Sequence, residues 1–129
     1  MNRAITASNV RLKRAYDPPE RTDGIRVLVD RLWPRGVRKA DAKLNDWIKE
    51  IAPSAELRTW FGHDPKRWDE FRRRYHTELA QHAELLNDLR RRAQEGPVTL
   101  VYAAGDGDHN HALVLRDAIL GRKVHSNDS

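Results

Sequence analysis

Cysteine is absent from all 129 residues. That excludes disulfides, thiolate metal clusters and a cysteine nucleophile, and it fits a reducing compartment, so the cytoplasm is the expected location. Long apolar runs are missing too: nothing approaches the roughly 18 residues that a membrane span needs. The amino terminus, Met1-Asn2-Arg3-Ala4-Ile5-Thr6, lacks the apolar core of a signal peptide. Internal repeats and low-complexity segments are also absent. The expectation is a soluble chain with no membrane partner, folded as one domain over residues 1–129 with 121–129 as a frayed tail.

Acidic charge is scarce only in the first third. Residues 1–40 hold ten Lys/Arg against four Asp/Glu, whereas 41–129 hold fourteen against fifteen, so the net charge of +5 arises at the amino-terminal end. The positive field is therefore aimed at one region instead of forming a general coat. Arginine outnumbers lysine eighteen to six, which fits either bidentate anion contacts or a compositional bias.

Residues 9–16 alternate imperfectly between apolar and polar and run into Asp17-Pro18-Pro19-Glu20, which reads as an edge strand. Ile25–Leu32, with its continuous Val27-Leu28-Val29 centre, suits a strand covered on both faces and ended by Pro34 and Gly36. Leu44, Trp47, Ile48 and Ile51 fall at i, i+3, i+4 and i+7, the spacing of an amphipathic helix from about Ala40 to Pro53. Ser54 can cap a short helix closed by Gly62, and Asp64-Pro65 starts another with the stripe Trp68, Phe71, Tyr75 and Leu79. The helical pattern continues to Ala93 with a break near His82. Val98–Ala104 is a second buried strand, and a polar loop, Gly105–Asn110, precedes a helix over Ala112–Leu120.

The resulting fold class is α/β: a small, open, mainly parallel sheet with a long helical crossover. Ligands of such sheets bind beyond the carboxyl ends of the strands. The two apolar strands should therefore bring Asp30, Arg31 and Arg35 across one crevice from Asp106, His109, Asn110 and His111. An arginine pair at a strand exit suits an oxyanion, although Asp30 could instead neutralise Arg31 within the fold. Trp33 beside Pro34 is either a wedge that fixes the turn or an aromatic lid. Asn110 is a candidate N-cap. His111, in the first helical turn, would be held as a neutral imidazole able to act as a base, or serve as a hydrogen-bonded structural residue. Asp30, His111 and Asp106 are the catalytic candidates. Arg31, Arg35, Lys13, Arg14, Tyr16, Asn110 and His63 are the ligand-binding candidates.

The acidic and imidazole groups of the 105–111 loop match no zinc-site spacing, so no metal ligands are assigned, and no cofactor is identified. Arg72-Arg73-Arg74 and Arg90-Arg91-Arg92 sit among acidic residues and fan around their helices, which favours a solvated, paired face over a nucleic-acid stripe.

Taken in order, these segments resemble the YeaO-like branch of the bacterial domain-of-unknown-function family 488. The resemblance rests on Lys13-Arg14-Ala15-Tyr16-Asp17, Val27–Gly36, Ala52-Pro53-Ser54 with Glu56-Leu57-Arg58, Trp60–Asp64, Phe71, Tyr75, Glu78-Leu79, Val98–Ala104 and Asn110-His111-Ala112. Members of the wider family carry a Cys-His-Arg string where this chain has Asn110-His111-Ala112, so thiol chemistry is not implied here. The expected function is binding of an anionic, phosphate-bearing small molecule, with its processing left open. A nucleic-acid-binding module and a regulatory interaction domain are the alternatives; the oligomeric state is not indicated.

Overall fold

The computed structural model describes residues 5–122. Four strands form one parallel sheet: β1 (Val10–Arg14), β2 (Ile25–Leu28), β3 (Asp46–Trp47) and β4 (Val98–Tyr102), in the order β1-β4-β2-β3. The helices are α1 (Lys39–Ala42), α2 (Ala55–Phe61), α3 (Trp68–Ala80), α4 (Ala83–Glu95) and α5 (His111–Ile119). The small parallel α/β sheet expected from the sequence is therefore present. Most of the expected tail lies outside the described residues.

Side chains alternate across a strand, and this sheet uses the alternation to build two unlike faces. Val10, Val27, Val29, Val98, Leu100 and Tyr102 turn to one face and form a continuous core with Phe71, Tyr75 and Leu79 of α3, Leu86 and Leu89 of α4, and Leu115 and Ile119 of α5. On the other face the buried Arg26, at 3% exposure, gives a hydrogen bond to the Ala42 carbonyl and an ion pair to Asp23 at 2.7 Å. Asp23 also meets Lys13 at 3.0 Å and accepts from the Glu20 backbone. The central strand is thus covered on both sides, as its unbroken apolar run implied, but one cover is an ionic network.

The helix expected over 40–53 does not form. Lys43 takes a left-handed conformation, φ 48°, and ends α1 after one turn. Asn45 then exchanges hydrogen bonds with the Arg26 backbone, donating to its carbonyl at 2.8 Å and accepting from its N–H at 2.8 Å. Ile48 donates to the Leu28 carbonyl at 3.0 Å. The open edge of β2 needed partners for its backbone groups, and satisfying them outweighed the helical period of the side chains. Ile48, just beyond β3, and Ile51, in the 3-10 turn Lys49–Ile51, are still buried, while Leu44 and Trp47 are half-buried.

The remaining signals behave as their chemistry requires. Ser54 accepts from Leu57 N–H and is itself clamped by Glu78 of α3, at 2.8 Å to its N–H and 2.6 Å to its hydroxyl. Gly62 ends α2 at φ 54°. Asp64 and Pro65 open a 3-10 turn that leads into α3, and the helical run breaks at Gln81-His82. No helix among the described residues is long and apolar enough to cross a membrane.

Candidate functional site

Beyond the carboxyl ends of β2 and β4 lies a cleft of about 320 Å³. One wall is the turn after β2, Asp30–Arg35; another is Ala103, Ala104, His109, Asn110 and His111. Ala52, Pro53, Arg58, Phe61, His63 and Phe71 complete it. The parallel pairing of β2 with β4 carries both exits to the same edge, which is why residues some 75 positions apart meet.

Asp30 stitches the three strand ends together. Its Oδ2 accepts from the Ala103 N–H at 2.9 Å, and its carbonyl accepts from the Trp47 indole N–H at 2.7 Å. His111 Nε2 lies 3.0 Å from the Val29 carbonyl and 3.1 Å from Asp30 Oδ1. A carbonyl can only accept, so Nε2 carries the proton and points it at Val29. Asp30 Oδ1 is left buried, close to the imidazole but without a hydrogen bond of its own.

Arg31 is the cation of the cleft wall that carries a buried, unpartnered donor. Its Nη2 reaches the Ala52 and Pro53 carbonyls only at 3.4 and 3.5 Å, and its Nε is buried with no partner. Arg31, Arg35 and Arg58 make no ion pair with any described residue. Asp30 is the one carboxylate in the lining. Trp33 acts as the wedge: its indole donates to Val37 carbonyl at 2.6 Å and its ring meets Trp47 edge-on at 5.4 Å.

Four of the expected site residues do not line the cleft. Lys13 is held by Glu20 and Asp23 on the opposite face of the sheet, because it alternates with Leu12 and Arg14 along β1. Arg14 is used as a brace, donating to the Ala104 and Ala103 carbonyls at 3.1 and 3.3 Å and lying over the Tyr16 ring. Tyr16 donates to the Arg35 carbonyl at 3.0 Å and so tethers the arginine turn from outside. Asp106 organises its own loop: it accepts from the Asp108 and His109 N–H groups at 2.9 and 3.1 Å and from His109 Nδ1 at 2.9 Å. The backbone N–H of Asp108, followed by the His109 side chain, holds the Asp106 carboxyl below its ordinary value.

Asn110 is the N-cap of α5, accepting from Leu113 N–H at 3.2 Å. His109 is fixed by Asp106 on one side and by the Trp68 ring, 5.4 Å away, on the other. His63 lines the cleft with an unusual backbone, φ 58°. Arg58, Phe61 and Phe71 were not among the expected site residues. Arg58 and Phe61, three apart on the helix that ends at Gly62-His63, share a face, and that spacing was the available signal.

The arginine triplets are occupied at home. Arg73 and Arg74 pair with Glu70, Arg72 with Asp69, and Arg91 and Arg92 with Asp88, while Arg90 caps the carboxyl end of α5 through the Ala118 and Ile119 carbonyls. Among the described residues no group of three or more metal-ligating side chains is placed to hold a metal ion.

A family model described as "Inactive DUF488-N3 subclade" matches residues 9–129. The chain belongs to the DUF488 family. Within it, this chain is 50% identical over 109 residues to the uncharacterized protein YeaO of Escherichia coli (strain K12), covering 84% of this chain and 95% of that one. It is 43% identical over 118 residues to uncharacterized proteins of Mycobacterium tuberculosis (strain ATCC 25618 / H37Rv) and Mycobacterium bovis (strain ATCC BAA-935 / AF2122/97), covering 92% of this chain and 99% of each. No solved structure matches.

Proposed function

We propose that the cleft binds an anionic small molecule through Arg31, Arg35 and Arg58, and that this DUF488 protein acts by binding instead of turnover. The observation that carries the reading is Arg31: a partly buried guanidinium with an orphaned Nε and no acidic partner, at the mouth of a preformed cleft. A buried donor left unsatisfied is costly, and an oxyanion accepting two parallel hydrogen bonds removes that cost.

Binding without turnover is supported by what the two strongest acid/base candidates already do. Asp30 spends one oxygen on the Ala103 N–H while the other is buried beside His111. His111 spends Nε2 on a backbone carbonyl. The description of the matching subclade as inactive points the same way. Calorimetric titration with inorganic phosphate, phosphomonoesters and small carboxylates tests the reading: saturable binding that Arg31→Met weakens is expected, and no binding to any of these anions would overturn it.

A further inference from the structure

Resting on the anion-binding reading, we propose that the ligand is a phosphomonoester of an apolar, ring-bearing alcohol. Its dianionic head is held by Arg31, Arg35, Arg58 and His63, and its body lies against Phe61, Phe71, Trp33 and Leu32. Charge is the first argument. The lining holds three guanidiniums without an ion pair against a single carboxylate, Asp30, a formal surplus of two positive charges. A carboxylate ligand brings one charge and leaves half of that surplus uncompensated. A phosphomonoester brings close to two charges near neutral pH and three terminal acceptor oxygens.

The second argument is the apolar wall. Phe61 stacks on Phe71 with ring centroids 4.3 Å apart; both are core side chains, 5% and 2% exposed, that reach the cleft only at their edges, where the buried Pro34, Ala52 and Pro53 continue the apolar lining. A bare inorganic anion would leave those edges and the Leu32 side chain at the rim without an apolar partner. Leu32, at 66% exposure, is a large aliphatic side chain held in solvent at the rim, where a bound ring would cover it. The volume, about 320 Å³, lies at the small end of ligand pockets and suits one ring with one phosphate.

His63 adds a backbone argument. It follows Gly62 as a second left-handed residue, at φ 58°, a region that costs a residue with a Cβ conformational free energy. The turn brings the His63 ring to the cleft wall, 6.2 Å from the Phe61 ring. An asparagine would hold the same backbone more easily, so His63→Asn removes the imidazole and keeps the turn.

The test is calorimetric titration of the full chain with phenyl phosphate, benzoate and inorganic phosphate at one ionic strength. Phenyl phosphate is expected to bind about tenfold tighter than either of the others, since it alone satisfies both the charge surplus and the apolar wall. Arg58→Ala and His63→Asn should each weaken phenyl phosphate more than benzoate, with unchanged unfolding midpoints. Benzoate binding as tightly as phenyl phosphate would overturn the phosphate head and leave the anion cleft standing. Inorganic phosphate binding as tightly would overturn the apolar body. Binding of none of the three would overturn the anion cleft itself.

Discussion

Replacing Arg31 by methionine separates a guanidinium kept for the fold from one kept for a ligand. Methionine preserves the unbranched stem and removes the charge. In the free protein the guanidinium makes two long hydrogen bonds, at 3.4 and 3.5 Å, and carries one buried N–H with no partner. Ordinary hydrogen bonds contribute about 0.5–1.5 kcal/mol each, and a buried orphan costs about 1–3 kcal/mol, so the two effects nearly cancel. The expected stability change is within about 1 kcal/mol of zero, measured by urea denaturation. The binding change is different. Losing a charge-assisted hydrogen bond to the anion removes about 1.5–3 kcal/mol, or roughly 10- to 150-fold in Kd by calorimetry. A variant destabilised by about 2 kcal/mol or more that still binds anions like the parent would refute the reasoning and make Arg31 a structural residue.

Asp23 supplies an acid-sensitive element. Burial alone would raise its carboxyl above the ordinary 3.8, but the Glu20 N–H, Lys13 and Arg26 outweigh burial and hold it lower. A depressed folded-state value contributes stability that is present above the unfolded value and lost as pH falls through the folded one. Denaturation midpoints should therefore fall with acidification below about pH 4, and Asp23→Asn should flatten that fall while costing about 3–5 kcal/mol at neutral pH; an unchanged acid profile would contradict the network. Gly24 sits at φ 65°, and a Cβ there would come within 2.2 Å of the Pro97 carbonyl oxygen. Gly24→Ala is expected to cost about 2–4 kcal/mol in denaturant unfolding, and a neutral result would dispute the β2–β4 approach. Oligonucleotides should bind weakly with shallow salt dependence, because the arginine triplets are paired internally; a log–log slope near about −5 would argue for a nucleic-acid surface.

The parts of the fold written into the sequence are those where local chemistry and tertiary need agree. Val27-Leu28-Val29 reads as the centre of a doubly covered strand over Ile25–Leu32; all three are fully buried, but β2 ends at Leu28 and Val29 lies just beyond it. Ser54, Gly62, Asp64-Pro65 and Asn110 punctuate the helices where their side chains or backbone freedom allow. The segment 43–51 was misleading for the opposite reason. Its helical spacing is real, but the backbone of β2 competes for it, and hydrogen bonds made at long range leave no local mark. Asp30, Arg31 and His111 were legible as neighbours from parallel topology alone. Lys13, Arg14, Tyr16 and Asp106 have the right chemistry but are committed to the sheet face, the strand ends, the turn and the loop respectively, and only the folded chain reveals those partners. Arg58, Phe61 and Phe71 were hidden because helical side chains at a cleft look like any helix surface or core until the strand exits are placed beside them.

The proposal that the cleft binds anions is tested most directly at its histidines. His63, His109 and His111 line the cleft, whereas His76 and His82 lie on α3 and at the start of α4, away from it. Nitrogen-detected NMR of the imidazoles during titration with phenyl phosphate should show saturable shifts at His63, His109 and His111 with one shared midpoint, and none at His76 or His82. Shifts confined to His76 and His82, or no response from the three cleft imidazoles at saturating ligand, would contradict it.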